Sequence, residues 1–309
     1  MSTANYPFRL NQDQSRRKFI HNFTKAAGVA ALLASPVMSH ADSLLAASVT
    51  VGEVMDMFIS QVPGAPFSST VDTLKAGSRD TQVTGIVTTM FATIEVIKKA
   101  IALEANFIIA HEPTFYNHQD ETTWLANDDV YRYKADLLKQ HNIAVWRNHD
   151  YIHRINPDGV RMGLLKQLGW AGYYNPAATN IMMLPTTTLS SLIGHLKQKL
   201  FIDKVRYIGD PKQSCQKILL MPGASGGTRQ IQAMSKEKPD VLICGEIQEW
   251  ETAEYVRDAQ AKGEKLSLIV LGHIASEEQG SEFMATWLKE KLSGIKITHL
   301  LSNNSLSFL

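Results

Sequence analysis

Apolar residues recur along this chain with two periods, and the places where one gives way to the other mark its elements. Within residues 51–61, Val51, Val54, Met55, Phe58 and Ile59 share a helical face, and Pro63-Gly64-Ala65-Pro66 ends the pattern. Residues 81–89 alternate as a strand does. Over 92–103, Ile94, Ile97, Ala100 and Ile101 form a stripe opposite Glu95, Lys98 and Lys99, which predicts an amphipathic helix leading into the apolar strand Phe107-Ile108-Ile109-Ala110. Strand, helix, strand is a βαβ unit. The rhythm continues with a helix over 128–141, a strand at 143–146 and a helix over 159–168 that Asn156-Pro157-Asp158 opens.

Residues 181–234 read as a smaller α/β unit, with a strand at 181–184, a helix over 186–200 and strands at 204–208 and 217–221. The glycine-rich Pro222-Gly223-Ala224-Ser225-Gly226-Gly227 follows, and with Thr228-Arg229 it reads either as a plain turn before a helix or as a cradle of backbone N–H groups for an anion. Beyond Lys236-Glu237-Lys238-Pro239 the first rhythm returns as strand 241–244, helix 250–261, strand 266–271 and helix 278–292. The expected class is α/β, two units with central sheets. The main domain is discontinuous, 48–178 and 236–309, and the smaller unit at 179–235 is inserted into it.

At 309 residues, with 44% hydrophobic and 20% charged, the chain is a core-forming globular protein with room for one large domain or two ordinary ones. Its net charge of +1 hides an asymmetry, because Arg9, Arg16, Arg17, Lys18 and Lys25 against Asp13 make the first 41 residues +4 and leave −3 for the rest. No basic stripe marks a nucleic-acid partner. Ser15-Arg16-Arg17-Lys18-Phe19-Ile20, a mildly apolar stretch to Val37 and the small residues of Ser39-His40-Ala41 form the pattern of a twin-arginine export signal. The expectation is a signal peptide over 1–41, too short in its apolar part for a stable membrane span, and a periplasmic or secreted product. The twin-arginine route carries folded proteins, which suits a metal loaded before export. Cys215 and Cys244 lie in or beside apolar runs, read as two buried thiols with a disulfide as the alternative.

Chemistry concentrates at three strand ends. His111-Glu112-Pro113 follows the strand at 107, His149-Asp150-Tyr151-Ile152-His153 follows the strand at 143, and Gly272-His273-Ile274-Ala275-Ser276-Glu277 follows the strand at 266. The C-terminal edge of a parallel sheet is where α/β proteins place their sites, so three such ends predict one metal centre there, between the two units. Adjacent donors such as His111 and Glu112 suit two ions better than one. If the middle segment takes a helical turn, His149 and His153 share a face, and if it is extended Asp150 points away from both. Asp150 is either a ligand or the orienter of an imidazole. Glu277 is either an anion at a helix N-terminus or a bridge between two cations. Glu246 and Glu249 are candidates for orienting or general-base work, with a solvated helix start the plainer role for Glu249.

Gly85-Ile86, Thr93-Ile94-Glu95-Val96-Ile97, Ala105-Asn106-Phe107-Ile108-Ile109-Ala110-His111, Asp240-Val241-Leu242-Ile243-Cys244-Gly245-Glu246 and Gly272-His273-Ile274-Ala275-Ser276-Glu277 resemble the Nif-three-like dinuclear metal-centre family, also labelled GTP cyclohydrolase I type 2, over residues 50–309. The resemblance implies that the family's paired histidines fall on His111 and Glu112. Its middle His and Asp would fall on His149 and His153, and its C-terminal pair on His273 and Glu277, with Glu277 the bridge. An Asp of the family falls on Phe91. It also implies a ring-shaped homo-oligomer, a hexamer. The candidate metal ligands are therefore His111, Glu112, His149, Asp150, His153, His273 and Glu277, holding two divalent transition-metal ions, zinc, manganese or iron, with Glu277 and Glu246 as candidate catalytic groups. The functional expectation is a metal-dependent hydrolase acting on a small molecule. A non-catalytic metal carrier and a GTP cyclohydrolase-like activity are the alternatives.

Overall fold

Gly85–Thr89, Phe107–Ala110 and Ala144–Arg147 are buried at every residue, the burial that strands in the middle of a helix-covered sheet require. The computed structural model describes residues 48–307 and 309. The expected export signal lies outside the described residues. In chain order the elements are α1 (Val51–Ile59), β1 (Leu74–Ala76), β2 (Gly85–Thr89), α2 (Ile94–Ala102), β3 (Phe107–Ala110), α3 (Asp129–Gln140), β4 (Ala144–Arg147), α4 (Asp150–Arg154) and α5 (Gly159–Leu168). They continue as β5 (Ile181–Thr188), α6 (Leu189–Leu200), β6 (Arg206–Ile208), β7 (Ser214–Met221), α7 (Gly227–Glu237), β8 (Val241–Cys244), α8 (Glu254–Ala261), β9 (Ser267–Val270), α9 (His273–Lys291) and β10 (Lys296–His299). Side-chain caps start several helices. Thr50 and Glu53 form a capping box on α1, and Thr93, Asp128, Asp158 and Thr188 cap α2, α3, α5 and α6.

Two five-stranded sheets form, ordered β1-β4-β3-β2-β10 and β5-β7-β8-β9-β6. In the first, β4, β3, β2 and β10 run parallel and only the short β1 is antiparallel. In the second, β7, β8 and β9 run parallel between antiparallel β5 and β6. Each sheet buries both faces. Ile86, Phe107, Ile109 and Trp146 pack on one side of the first while Val87, Ile108 and Val145 pack on the other, the alternation that a pleat imposes.

The α/β class and the two sheets agree with the sequence pattern, but the division of the chain between them does not. Residues 236–309 do not return to the first sheet as a block. Leu219 pairs with Leu242 and Leu242 with Leu268, which puts β8 and β9 in the second sheet, so that sheet draws on 181–270 and only α9 and β10 go back. An all-apolar strand fits the middle of either sheet, and its neighbours are chosen by long-range contacts that local periodicity does not record. The strand at 181 also runs on to Thr188 past an irregularity at Pro185, where a helix from 186 was expected. Ahead of α8, Glu249–Ala253 is a π-helical turn, and α9 starts at His273 rather than at 278.

Helices α5 and α9 join the halves. Val160 of α5 belongs to the core under the first sheet, whereas Leu164, Leu165 and Leu168 belong to that of the second. A Cβ at Gly280 of α9 would lie 2.8 Å from Val160 Cγ2, and one at Gly163 would collide with the Gln279 backbone, so the two helices touch main chain to main chain. Cys215 and Cys244 are both buried free thiols, pushed by burial up to about 11 and about 12. Among the described residues no helix is long and apolar enough to cross a membrane.

Candidate metal centre

Strands β3 and β4 end level with one another, Ala110 opposite Arg147. The residues just beyond them leave the sheet side by side, with the N–H of Asn148 still bonded to the Ala110 carbonyl at 2.9 Å. His111 and Glu112 are therefore buried at the rim, beside the start of α4. Helix α4 has no cap from its own sequence. Asp72, from the loop before β1, supplies one, accepting the N–H groups of His149 at 2.8 Å, Asp150 at 3.0 Å and Tyr151 at 2.7 Å. The helical turn that results brings the rings of His149 and His153 to 5.0 Å, each within about 5 Å of His111, at 4.8 and 5.1 Å.

The third cluster arrives from the second sheet. Gly272, with φ +95°, turns the chain from β9 into α9, and its N–H donates to the Gly245 carbonyl at 3.0 Å. His273 opens the helix and Glu277 lies one turn on, with Nε2 and Oε2 3.0 Å apart. Gly223, with φ +67°, packs against the Glu277 carboxylate so closely that any Cβ there would collide with it. The first glycine of the glycine-rich segment thus forms the back wall of a candidate ligand. Farther along, the Glu251 carboxylate sits against Gly227 at the start of α7 and takes the place an anionic ligand would need. That segment is a turn.

Four imidazoles are oriented alike. His111 Nδ1 lies 3.2 Å from the Asn148 carbonyl, His149 Nδ1 3.0 Å from Asp150, His153 Nδ1 3.1 Å from Asp158, and His273 Nδ1 2.8 Å from Glu246. Each acceptor fixes a proton on Nδ1 and leaves the Nε2 lone pair for the cleft, the outer arrangement of metal-binding histidines. Two carboxylates meet three of these Nε2 atoms. Glu277 Oε2 is 3.5 Å from His111, and Glu112 Oε1 is 3.2 Å from His273 and 3.7 Å from His149. Behind them the fully buried guanidinium of Arg147 holds Glu112 Oε2 at 3.2 Å and the His111 carbonyl at 3.3 Å, and it also bonds the His118 carbonyl.

The charges couple. Burial alone would depress His273, but hydrogen bonds with Glu112, Glu246 and Glu277 push it up to about 12. Burial would raise Glu112, yet His273 and the neighbouring imidazoles bring it down to about 2, and His111 and His273 hold Glu277 well below the usual carboxylate range in the same way. His149 goes the other way, lowered by burial and then by His111 to about 4. A proton on His273 thus stands where a cation would.

The donor set fits a divalent ion. His111 Nε2 is buried with only the Glu277 carboxylate near it, at 3.5 Å and without a well-formed hydrogen bond, a cost that a ligated cation removes. Ligand atoms of His111, His149 and His153, and of His111, Glu112 and Glu277, lie within 4.8 Å of one another. The donors are imidazole and carboxylate without thiolate, suited to zinc, manganese or iron(II). Glu112, His149, His153, His273 and Glu277 line an open cleft of about 560 Å³ together with Arg161 and Arg229, and His111 lies buried beneath it.

Six of the seven expected ligands converge. Asp150 does not, because one of its oxygens meets His149 Nδ1 and the other accepts from Thr70 Oγ1 at 2.8 Å and Val71 N at 3.2 Å. It orients an imidazole. Glu246 likewise stands behind His273, and Glu249 pairs with Arg206 at the surface, 2.6 Å away. Phe91 presents its edge to the His273 ring at 6.2 Å. Sequence reading missed Asp72 and Arg147, and took Asp158 only as a helix opener. A cap with no capping side chain of its own at 149 was the one available sign of Asp72.

The chain matches the profile of the Duf34/NIF3 (NGG1p interacting factor 3) family over residues 50–306. It is 24% identical over 246 residues to a GTP cyclohydrolase 1 type 2 homolog of Clostridium acetobutylicum, covering 75% of this chain and 87% of that one. It is also 30% identical over 169 residues to a homolog of the same name in Staphylococcus epidermidis, a match that spans 54% of this chain and 41% of that relative. A hypothetical protein of Staphylococcus aureus shares the fold, with a TM-score of 0.68 at 21% identity, over 85% of this chain and all of the other. With its profile matched across both sheets and the ligand-bearing strand ends, the chain belongs to the Duf34/NIF3 family.

Proposed function

We propose that this protein is an exported, dinuclear metal-dependent hydrolase. The observation that carries the reading is the common orientation of four imidazoles, each with Nδ1 engaged, and the two buried carboxylates that meet the Nε2 atoms of three of them. A single Nε2 has one lone pair, so His111 can serve only one ion. His111, His149 and His153 with Glu277 would hold one, and His273, Glu112 and again Glu277 the other, with Glu277 as the bridge. Such ions supply Lewis acidity and a nucleophile at neutral pH. Three protein donors at the second position is the count of catalytic zinc sites, whereas structural sites carry four. That count and the open cleft favour a hydrolase over a carrier.

The chain's own residues then divide the work. Glu246, Asp150 and Asp158 hold the imidazoles in one tautomer, Arg147 holds Glu112 in place, and Phe91 excludes water beside His273. His118, exposed at the cleft with its ring 6.0 Å from that of His149, is the imidazole free to carry a proton to a leaving group. Export by the twin-arginine route and a ring-shaped hexamer, as the family resemblance implies, complete the reading. The test is elemental analysis of the purified mature protein together with a screen of phosphoesters, esters, amides and GTP. Two ions per chain and metal-dependent turnover are expected. Stoichiometric metal with no turnover would favour the carrier, and GTP as the sole substrate the cyclohydrolase.

A further inference from the structure

The arginines of the described chain are not alike. Arg79, Arg132, Arg206 and Arg257 pair with carboxylates, Arg147 with Glu112 and Asp120, and Arg154 stacks on Phe67. Only Arg161 and Arg229 make no guanidinium hydrogen bond, close ion pair or ring contact among the described residues, Arg161 feeling the Asp158 carboxylate only at longer range, and both line the cleft over the candidate ligands. Arg161 even buries its Nε without an acceptor, although a buried donor left unpaired is costly. Its place is set by the metal cluster itself, since Asp158 accepts the Arg161 N–H at 3.0 Å with one oxygen and holds His153 Nδ1 with the other. Arg229 comes from a different element, on the first turn of α7.

Charge narrows the class. Two divalent ions against Glu112 and Glu277 leave the centre positive, and although Asp150, Asp158 and Glu246 stand behind the imidazoles, the guanidiniums of Arg161 and Arg229 with buried Arg147 keep the cleft positive, so it is built for an anion. One guanidinium fork saturates the two oxygens of a carboxylate. Two guanidiniums on different elements, facing a cationic floor, call for an anion with acceptors in three directions.

We infer that the cleft recognises a phosphoryl group, with Arg161 and Arg229 clamping its oxygens from the walls, so that the substrate is a phosphate ester. This rests on the metal reading above for its floor, and on the arginines for its walls.

The experiment titrates inorganic phosphate into the metal-loaded mature protein by calorimetry, with acetate in a parallel arm. Arg161→Met and Arg229→Met should each weaken phosphate by at least ~10-fold with metal content unchanged, as loss of a charge-assisted bond implies. Arg257→Met, outside the cleft, should change nothing, and acetate should bind more weakly than phosphate. Arg229 is exposed, so its variant folds even if that of Arg161 does not. In turnover assays 4-nitrophenyl phosphate and GTP separate a simple monoester from a nucleotide, and in either case the arginine variants should raise KM more than they lower kcat. Phosphate affinity within about twofold of wild type in both variants, or acetate bound as tightly, overturns the inference. If the protein takes up no metal the hydrolase reading falls, and the arginine dependence of phosphate binding to the metal-free protein still decides this one.

Discussion

Replacing Asp72 by alanine should undo the middle of the site without touching a ligand. The Asp72 carboxylate is 4% exposed and accepts three N–H groups at the start of α4, all within 3.0 Å. A hydrogen bond to a charged group is worth ~1.5–3 kcal/mol, and loss of an ordinary cap costs ~0.5–2 kcal/mol. The three bonds are not additive, and burial raises the pKa of Asp72, so part of their worth offsets desolvation. We expect Asp72→Ala to lose about 3 kcal/mol, a fall in Tm of roughly 6–12 °C for a unit of this size. Asp72→Asn keeps an acceptor oxygen and sheds the buried charge, so it should lose only about 1 kcal/mol. Because α4 carries His149 and His153, Asp72→Ala should also bind less metal. Thermal unfolding of chelator-treated protein by circular dichroism measures the first effect and elemental analysis the second. A Tm within about 2 °C of wild type, or an asparagine variant less stable than the alanine one, would refute the assignment of Asp72 as the cap.

The remaining expectations concern the ions and the export signal. Glu277→Gln should lose more metal than Glu112→Gln in elemental analysis, because Glu277 meets both His111 and His273 whereas Arg147 already holds one oxygen of Glu112, and equal losses would remove Glu277 as the bridge. His153→Ala should cost one ion, whereas Asp150→Asn, which only loosens His149, should weaken binding by about 10- to 100-fold; full occupancy in His153→Ala contradicts this. Carboxylate partners outweigh burial and raise the pKa values of His111 and His273, the latter to about 12, so an ion must displace protons that these rings hold more tightly than a free imidazole does. Metal affinity should therefore rise with pH from 6 to 9, and calorimetry in buffers of different ionisation enthalpy should show proton release on loading, with no release counting against the ligand set. Changing Arg16 and Arg17 to Lys should leave the precursor in the cytoplasm on fractionation, and unchanged delivery would dismiss the twin-arginine route.

Local pattern determined a good deal. The apolar runs of β3, β4 and β9, each followed within three residues by a histidine (His111, His149 and His273), announced both the parallel strands and the rim on which chemistry gathers, because burial on two faces leaves a four-residue signature that needs no partner to be read. Helix α5 lies where its proline–aspartate opening and its period place it. Partnership was another matter. Nothing in Val241-Leu242-Ile243-Cys244 says which sheet it joins, and only its register with Leu219 and Leu268 does. The roles of Asp150 and His153 depended on whether the segment coils, and that depended on Asp72, a carboxylate 77 residues before the first N–H it accepts. Arg161 and Arg229 became a pair only when α5 and α7 met across one cleft. Period and capping are set by neighbours within a turn or two of the chain, whereas a site is assembled by groups whose contact the sequence leaves to the packing of the two sheets.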